Sequence, residues 1–251
     1  TGNASRLMKV QSPDALHQLR VGLRRLRAGL KVFETVVRDD HYARIDAEAR
    51  WATRSLNAAR DLDVLLRSIA PAGDDSADEE PSLAALRQRL IQAQTRAYED
   101  ALAAVGSSRF ARFLLDLAAW AEAGPWTASQ ARKRIEVRDA PVSVLAIERL
   151  NHLRKAARKA GRNLDRQSPE ARHRVRIRIK KLRYAADFFA EAVGRSRSPR
   201  TAPFMDALRS LQDAMGELND VAVAAETLAS VVNAPGGAGA GFAARRILGR
   251  R

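Results

Sequence analysis

The 251-residue sequence contains no cysteine. That excludes disulfide bonds and thiolate metal sites, and it is compatible with a reducing compartment. Aromatic residues make up only 5% of the chain, too few for the alternating β-branched and aromatic runs that strands require. The same scarcity argues against a single-stranded nucleic-acid binder, which stacks bases on aromatic platforms. The three tryptophans, Trp51, Trp120 and Trp126, fall in helical or terminal contexts that read as packing. No apolar run approaches the roughly 18 residues of a membrane span, and no signal peptide is visible, so no membrane partner is expected and a cytoplasmic location is. The chain begins at Thr1 without a methionine, which leaves N-terminal targeting unjudged. Walker A, G-x-S-x-G and H-E-x-x-H patterns are all lacking. No catalytic residue, cofactor or metal is therefore expected. His17 and His173 could approach one another, but no acid-rich ligand set accompanies them.

Positive charge is abundant. The net charge is +15 and the isoelectric point is near 11.2, a surplus that implies a polyanionic partner. It is concentrated: between Arg149 and Arg183 there are 14 lysines and arginines against two acids, Asp165 and Glu170. The opposite extreme, GDDSADEEP from Gly73 to Pro81, reads as a solvated linker.

The basic residues recur in register. HQLRVGLRRLRAGLKVF runs from His17 to Phe33, and HRVRIRIKKLRYAADFF from His173 to Phe189. A constant offset of 156 residues pairs His17 with His173, Arg20 with Arg176, Arg24 with Lys180, Arg27 with Arg183 and Phe33 with Phe189. The proline four residues before each histidine, Pro13 and Pro169, recurs as well. An internal repeat fixes the architecture before anything else does.

The remaining periodicity is helical. Leu16, Leu19, Leu23, Leu26, Leu30 and Phe33 step by three and four and form one apolar stripe. Ser12-Pro13-Asp14 and Ser168-Pro169-Glu170 are both helix starts, a capping oxygen followed by proline in the first turn. Further helices are predicted over Tyr42–Ile69, Ser82–Val105, Arg109–Ala123, Val142–Leu164 and Pro169–Val193. Two more are expected between Phe204 and Val232, broken near Gly216. Ser196–Pro203 and the PGGAGAG stretch from Pro235 read as loops, and the stretch from Gly124 to Pro141 is ambiguous. Alanine, leucine and arginine favour helix throughout. The fold class is all-α: a single domain over 1–251, made of two antiparallel helical bundles of about four helices each, related by a pseudo-twofold, with halves at 1–140 and 141–251.

An α-helix turns about 100° per residue. On that wheel His17, Arg20, Arg24, Arg27 and Lys31 lie roughly 110° from the centre of the apolar stripe. His173, Arg176, Lys180 and Arg183 flank Val175, Ile179, Leu182 and Phe189 in the same way. Charges meant only for solvent belong on the back of a helix. A flanking stripe lets long cationic side chains lay their stems on apolar surface and aim their heads into a shared cleft. With Leu150, Leu153, Ala157, Ala160 and Leu164 inward, Arg154 and Arg158 take the flanking position on the next helix, followed by Arg162. His152, Lys155 and Lys159 should face away. The first stripe has no acid until Glu34, so helical ion pairs do not explain it.

The H-x-x-R-V-x-x-R-R-L-R segment, its proline, the later RDLDV and the second copy H-x-x-R-I-x-x-K-K-L-R-Y resemble the CHAD family, the conserved histidine α-helical domain. Arg60, Asp61, Asp63 and Val64 supply RDLDV, and LQDAMGELNDVAV places Asp220 where the first half has Asp63. The resemblance covers essentially the whole chain. It implies a compact helical domain that binds inorganic polyphosphate along a basic surface, associates with polyphosphate granules, often neighbours triphosphate-tunnel enzymes and has no catalytic activity of its own. The family's basic positions carry over to His17, Arg20, Arg24, Arg25, Arg27, His173, Arg176, Lys180, Lys181 and Arg183.

Elementary chemistry agrees. Polyphosphate offers a flexible line of phosphates, which arginine grips with forked bonds and lysine with a point charge. Binding should fall steeply with salt. Nearby phosphates should favour protonated histidine, so binding should tighten at mildly acid pH. Sulfate or phosphate could stand in for the polymer in crystals. Asp61 and Asp63 read either as a catalytic carboxylate pair or, preferably, as acids that position arginines of the first helix or cap a helix. Nucleic acid remains the alternative ligand, and delivery of polyphosphate to a triphosphate-tunnel enzyme the alternative role.

Overall fold

A computed structural model describes residues 2–69, 81–128, 132–192 and 202–232, except for some side chains within the helices, notably those of 214–223. The linker at 73–80, the segment from 196 to 201, Val193 and everything beyond Val232 lie outside the described residues. The described chain is all-α. Eleven helices are described: α1 (Gly2–Val10), α2 (Pro13–Val32), α3 (Glu34–Val37), α4 (Tyr42–Ser55), α5 (Asn57–Ser68), α6 (Pro81–Val105), α7 (Ser108–Ala123), α8 (Arg132–Asp139), α9 (Val142–Ala160), α10 (Pro169–Ala192) and α11 (Ala202–Val232). A 3₁₀ turn at Leu164–Arg166 precedes α10.

The two repeated helices begin with the same local chemistry. The Ser12 hydroxyl accepts from the Ala15 amide at 3.2 Å, and the Ser168 hydroxyl accepts from the Ala171 amide at 3.3 Å. Each cap satisfies one otherwise orphaned donor and stabilises its helix by about 1 kcal/mol. Along α2 the stripe then buries Leu16, Leu19, Leu23 and Leu30; along α10 it buries Val175, Ile179, Leu182 and Phe189.

Among the described residues the chain divides into two compact units. The first is built from Thr1–Leu23, Glu48–Leu115 and the segment beginning at Asp220, the second from Arg24–Ala47 and Asp116–Asn219. Each unit therefore draws on both sides of residue 140, and α2 and α11 each contribute to both. In the first unit α5 packs along α6, burying Ala59, Leu62 and Leu65 together with Leu86, Leu90 and Ala97. In the second, α10 packs along α9. Val175, Ile179, Leu182 and Ala186 close over Ala157, with Leu150, Leu153, Ala160 and Leu164 packed around them and Met205 and Leu208 of α11 completing the cluster. A neighbouring cluster joins Val32, Val36, Leu145, Ala146, Ala185 and Phe189.

Several boundaries differ from the sequence expectation. The predicted helix Tyr42–Ile69 is two helices, broken at Leu56. Thr53 and Ser55 donate their hydroxyls back to the Ala49 and Trp51 carbonyls, at 2.7 and 3.1 Å, and such back-bonding bends a helix. In the opposite direction, α11 runs unbroken through Gly216 and already begins at Ala202, within the expected loop. One helical glycine costs only about 1 kcal/mol, which 31 residues of mostly good helix formers tolerate. The ambiguous stretch before Pro141 contains α8, braced by an Arg132–Glu136 pair at 3.0 Å. Helix α1 was not expected; Ala4 and Leu7, one turn apart, bury its inner face.

Candidate anion-binding surface

The basic row of α2 divides between the two units. His17 and Arg20, both half-buried, belong to the first. Arg20 donates to the Asn57 side-chain oxygen at the start of α5. It also acts on Asp61: burial raises the Asp61 pKa, Arg20 and Arg60 pull it down, Glu226 pushes it up, and the net effect is a raised value. Arg20 is thus committed to α5 inside its own unit.

The rest of the row lies in the second unit. Arg24, Arg25 and Lys31 are exposed and Arg27 is half-buried. Lys31 pairs with Glu34 at 3.4 Å and lies 5.6 Å from the centre of the Tyr42 ring. Burial alone would lower the Lys31 pKa; Tyr42 and Glu34 more than offset it, leaving the ammonium more firmly protonated. On α10, His173 and Lys181 are exposed, while Arg176, Lys180 and Arg183 are half-buried. The Nε atoms of Arg27, Arg176 and Arg183 are buried without a hydrogen-bond partner. Their stems therefore lie against apolar packing, the arrangement that flanking positions produce.

Within this unit the two rows meet. The Arg24 guanidinium lies 5.2 Å from the centre of the Tyr184 ring, and the Arg183 guanidinium 5.0 Å from the same centre. Further along, Phe33 meets Phe188 and Phe189 edge-on at centroid distances of 5.3 and 6.0 Å. From α9, Arg149 donates to the Lys31 backbone carbonyl at 2.6 Å. Carboxylates are sparse here. Asp187 stands 4.0 Å from Arg183, and Arg24 makes no ion pair among the described residues. Arg154, Arg158 and Arg162 are exposed, but so are His152, Lys155 and Lys159. Exposure alone does not separate the expected inner arginines of α9 from its outer cations.

The acids of RDLDV have separate surroundings. Asp63 is 4% exposed and accepts from Gln94 at 2.7 Å and from the Tyr98 hydroxyl at 3.0 Å. Its carboxylate is engaged by α6, not by an arginine of α2, because its position on α5 points into the α5–α6 packing. Asp61 is the acid close to Arg20 and Arg60. Asp220 lies on α11, but its side chain is outside the described residues. Sequence reasoning missed two residues of the second unit, Tyr184 and Arg149. Tyr184 had a legible signal, since it directly follows Arg183 and its repeat equivalent is Ala28. Among the described residues, no helix is long and apolar enough to cross a membrane, and no group of three or more His, Cys, Asp or Glu could hold a metal ion.

The chain is 31% identical over 193 residues to uncharacterized protein MT2285 of Mycobacterium tuberculosis strain CDC 1551, and equally so to uncharacterized protein Rv2226 of strain H37Rv. The match takes in 72% of this chain but 35% of each relative, so the chain spans about a third of their length. Among solved structures, the CHAD domain from the plant Ricinus communis superposes with a TM-score of 0.77 at 28% identity, covering 99% of this chain and 78% of that one. PptA from Streptomyces chartreusis superposes with a TM-score of 0.64 over 98% of this chain and 87% of its own, a likeness of fold at 23% identity. The family model described as the CHAD domain matches residues 1–229, and the chain belongs to the CHAD domain family.

Proposed function

We propose that this chain binds inorganic polyphosphate without turning it over, and that cations of α2, α9 and α10 make the phosphate contacts. The observation that carries the reading is the shared ring: Arg24 from the first basic row and Arg183 from the second both reach Tyr184. Cations from both copies of the repeat thus gather in one place, where among the described residues Asp187, 4.0 Å from Arg183, is the carboxylate paired with them. Like charges so close repel unless an anion lies between them. A polymer with one charge on every phosphate is an economical way to supply that anion. Arg25, Lys31, Arg154, Arg158, Arg162, His173, Arg176, Lys180 and Lys181 would extend the track. Within the first unit, Arg20 is held by the Asn57 side-chain oxygen and lies in the field of Asp61, so it and His17 are left out of this track. Association with polyphosphate granules inside the cell would follow from the ligand.

The length of the curated relatives favours a second role for the same surface. Proteins about three times as long carry this segment, so the domain would present polyphosphate to an enzyme on the same chain or nearby, a triphosphate-tunnel enzyme being the expected kind.

The test is titration with polyphosphate of defined lengths over a range of salt concentrations. Arg24→Gln/Arg25→Gln and Arg154→Gln/Arg158→Gln change exposed side chains only. Each pair should weaken binding and lower the slope of log K against log salt by about 1.4, the value for two lost contacts to a flexible polyanion, with the melting temperature unchanged. Absence of polyphosphate binding by the unmodified protein would overturn the reading. So would RNA or DNA displacing polyphosphate at equal phosphate concentration.

A further inference from the structure

The repeat fails at one position on this surface. The 156-residue offset pairs Arg24 with Lys180 and Arg27 with Arg183, a cation for a cation each time, but it pairs Tyr184 with Ala28. Packing needs common to both copies do not account for a ring in one and a methyl group in the other. The ring instead has two cationic neighbours from different copies. The Arg24 and Arg183 guanidiniums sit 5.2 and 5.0 Å from its centre, so they can be no further apart than those distances laid end to end. The face of an aromatic ring attracts a cation, and here one ring holds two. Arg183 is further restrained by its buried Nε and its half-buried stem. Both side chains have therefore lost much of their freedom before any ligand arrives, which removes an ordering cost from binding. Among the described residues one carboxylate, Asp187 at 4.0 Å from Arg183, faces the two guanidiniums, and Arg24 has no ion pair, so positive charge is left over.

We propose that Tyr184 is a positioning residue that holds Arg24 and Arg183 as a preformed phosphate-binding seat. The track is consequently polar: its grip is firmest at Tyr184, and the repeat-equivalent position, Ala28, carries no ring. The inference rests on the polyphosphate reading and adds to it a fixed anchor point and a direction.

Binding of long-chain polyphosphate to the full chain, measured at several salt concentrations, tests it. Loss of two cation–π contacts in Tyr184→Leu should weaken binding about 5- to 30-fold at constant salt. The salt slope should not change, because no charge has been removed. Tyr184→Phe keeps the ring and should stay within about twofold of the unmodified protein. Arg24→Gln should cost less in the Tyr184→Leu background than alone, since the two residues act as a unit. Should Tyr184→Leu melt early, the exposed Arg24 still decides the matter: Arg24→Gln must weaken binding more than its repeat equivalent, Lys180→Gln. Equal losses at Arg24 and Lys180, or unmodified affinity in a folded Tyr184→Leu, would overturn the seat and leave polyphosphate binding standing. Failure of the unmodified protein to bind would remove the reading beneath it.

Discussion

Tyr98→Phe separates what RDLDV does for the fold from what the basic rows do for binding. The buried Asp63 carboxylate has two donors, Gln94 at 2.7 Å and the Tyr98 hydroxyl at 3.0 and 3.2 Å from its two oxygens. Burial, together with the Asp63 charge and the hydrogen bond to it, holds the Tyr98 hydroxyl protonated well above the ordinary tyrosine range, so it remains a donor at every pH of interest. Deleting that hydroxyl removes a hydrogen bond to a charged acceptor and leaves Asp63 with Gln94 alone. Bonds of this kind contribute about 1.5–3 kcal/mol. For a chain of this size each kcal/mol shifts the melting temperature by about 2–4 °C, so the expected fall is about 3–12 °C. Thermal melts followed by circular dichroism give the shift, and polyphosphate titration below the transition gives the second readout, which should not change. Asp63→Lys, which places an ammonium opposite two donors, should prevent folding altogether. A melting temperature within about 1 °C of the unmodified protein for Tyr98→Phe would refute the strut. Normal stability with weakened binding would reassign Asp63 to the ligand site.

Two further substitutions probe each unit by itself. Because burial raises the Asp61 pKa despite Arg20 and Arg60, the folded chain holds that proton more tightly than the unfolded chain does. Ionisation therefore costs stability that is intact below the ordinary aspartate pKa and lost as pH rises through the folded value. Asp61→Asn should raise the urea midpoint at pH 7 and leave it unchanged near pH 3, whereas a lower midpoint at pH 7 would show that the arginines outweigh burial. In the second unit, Gly124 follows α7 with no room beside it. A methyl group there would collide with the Trp120 carbonyl and lie 2.7 and 2.8 Å from ring carbons of Trp126 and Trp120. Gly124→Ala should cost about 1–3 kcal/mol in denaturant unfolding followed by tryptophan fluorescence, and an unaltered midpoint would contradict that packing.

Much of the fold was legible because each long helix states its inner face in its own period. Leu16, Leu19, Leu23 and Leu30 of the first stripe, and Val175, Ile179, Leu182 and Phe189 of the second, are buried as the spacing requires, with Leu26 half-buried, and both serine caps form. The failures occurred where local chemistry is weak or comes from a neighbour. The break at Leu56 carries no proline or glycine and depends on two hydroxyls reaching backward. Helix α1 is short and polar in composition. It is held by tertiary contacts such as the Asn3 amide donating to the Gln18 carbonyl at 3.1 Å, which no local pattern announces.

The site was legible to a different depth. Helical periodicity placed five cations on one flank of α2, but it says nothing of what each flank residue meets. Arg20 meets Asn57 and the field of Asp61; Arg24, one turn later, meets an aromatic ring; Lys31 meets Glu34 and Tyr42. A row that is uniform in sequence thus has three kinds of environment. Of these three, Arg24 is the cation held in place without a carboxylate among the described residues. A repeat read for its identities finds the residues both copies keep, and those are largely what folds the helices and charges their flanks. The position where the copies differ, Tyr184 against Ala28, is where two symmetric rows become a site with one preferred end, since a feature present in one copy can act on both only by sitting where they meet.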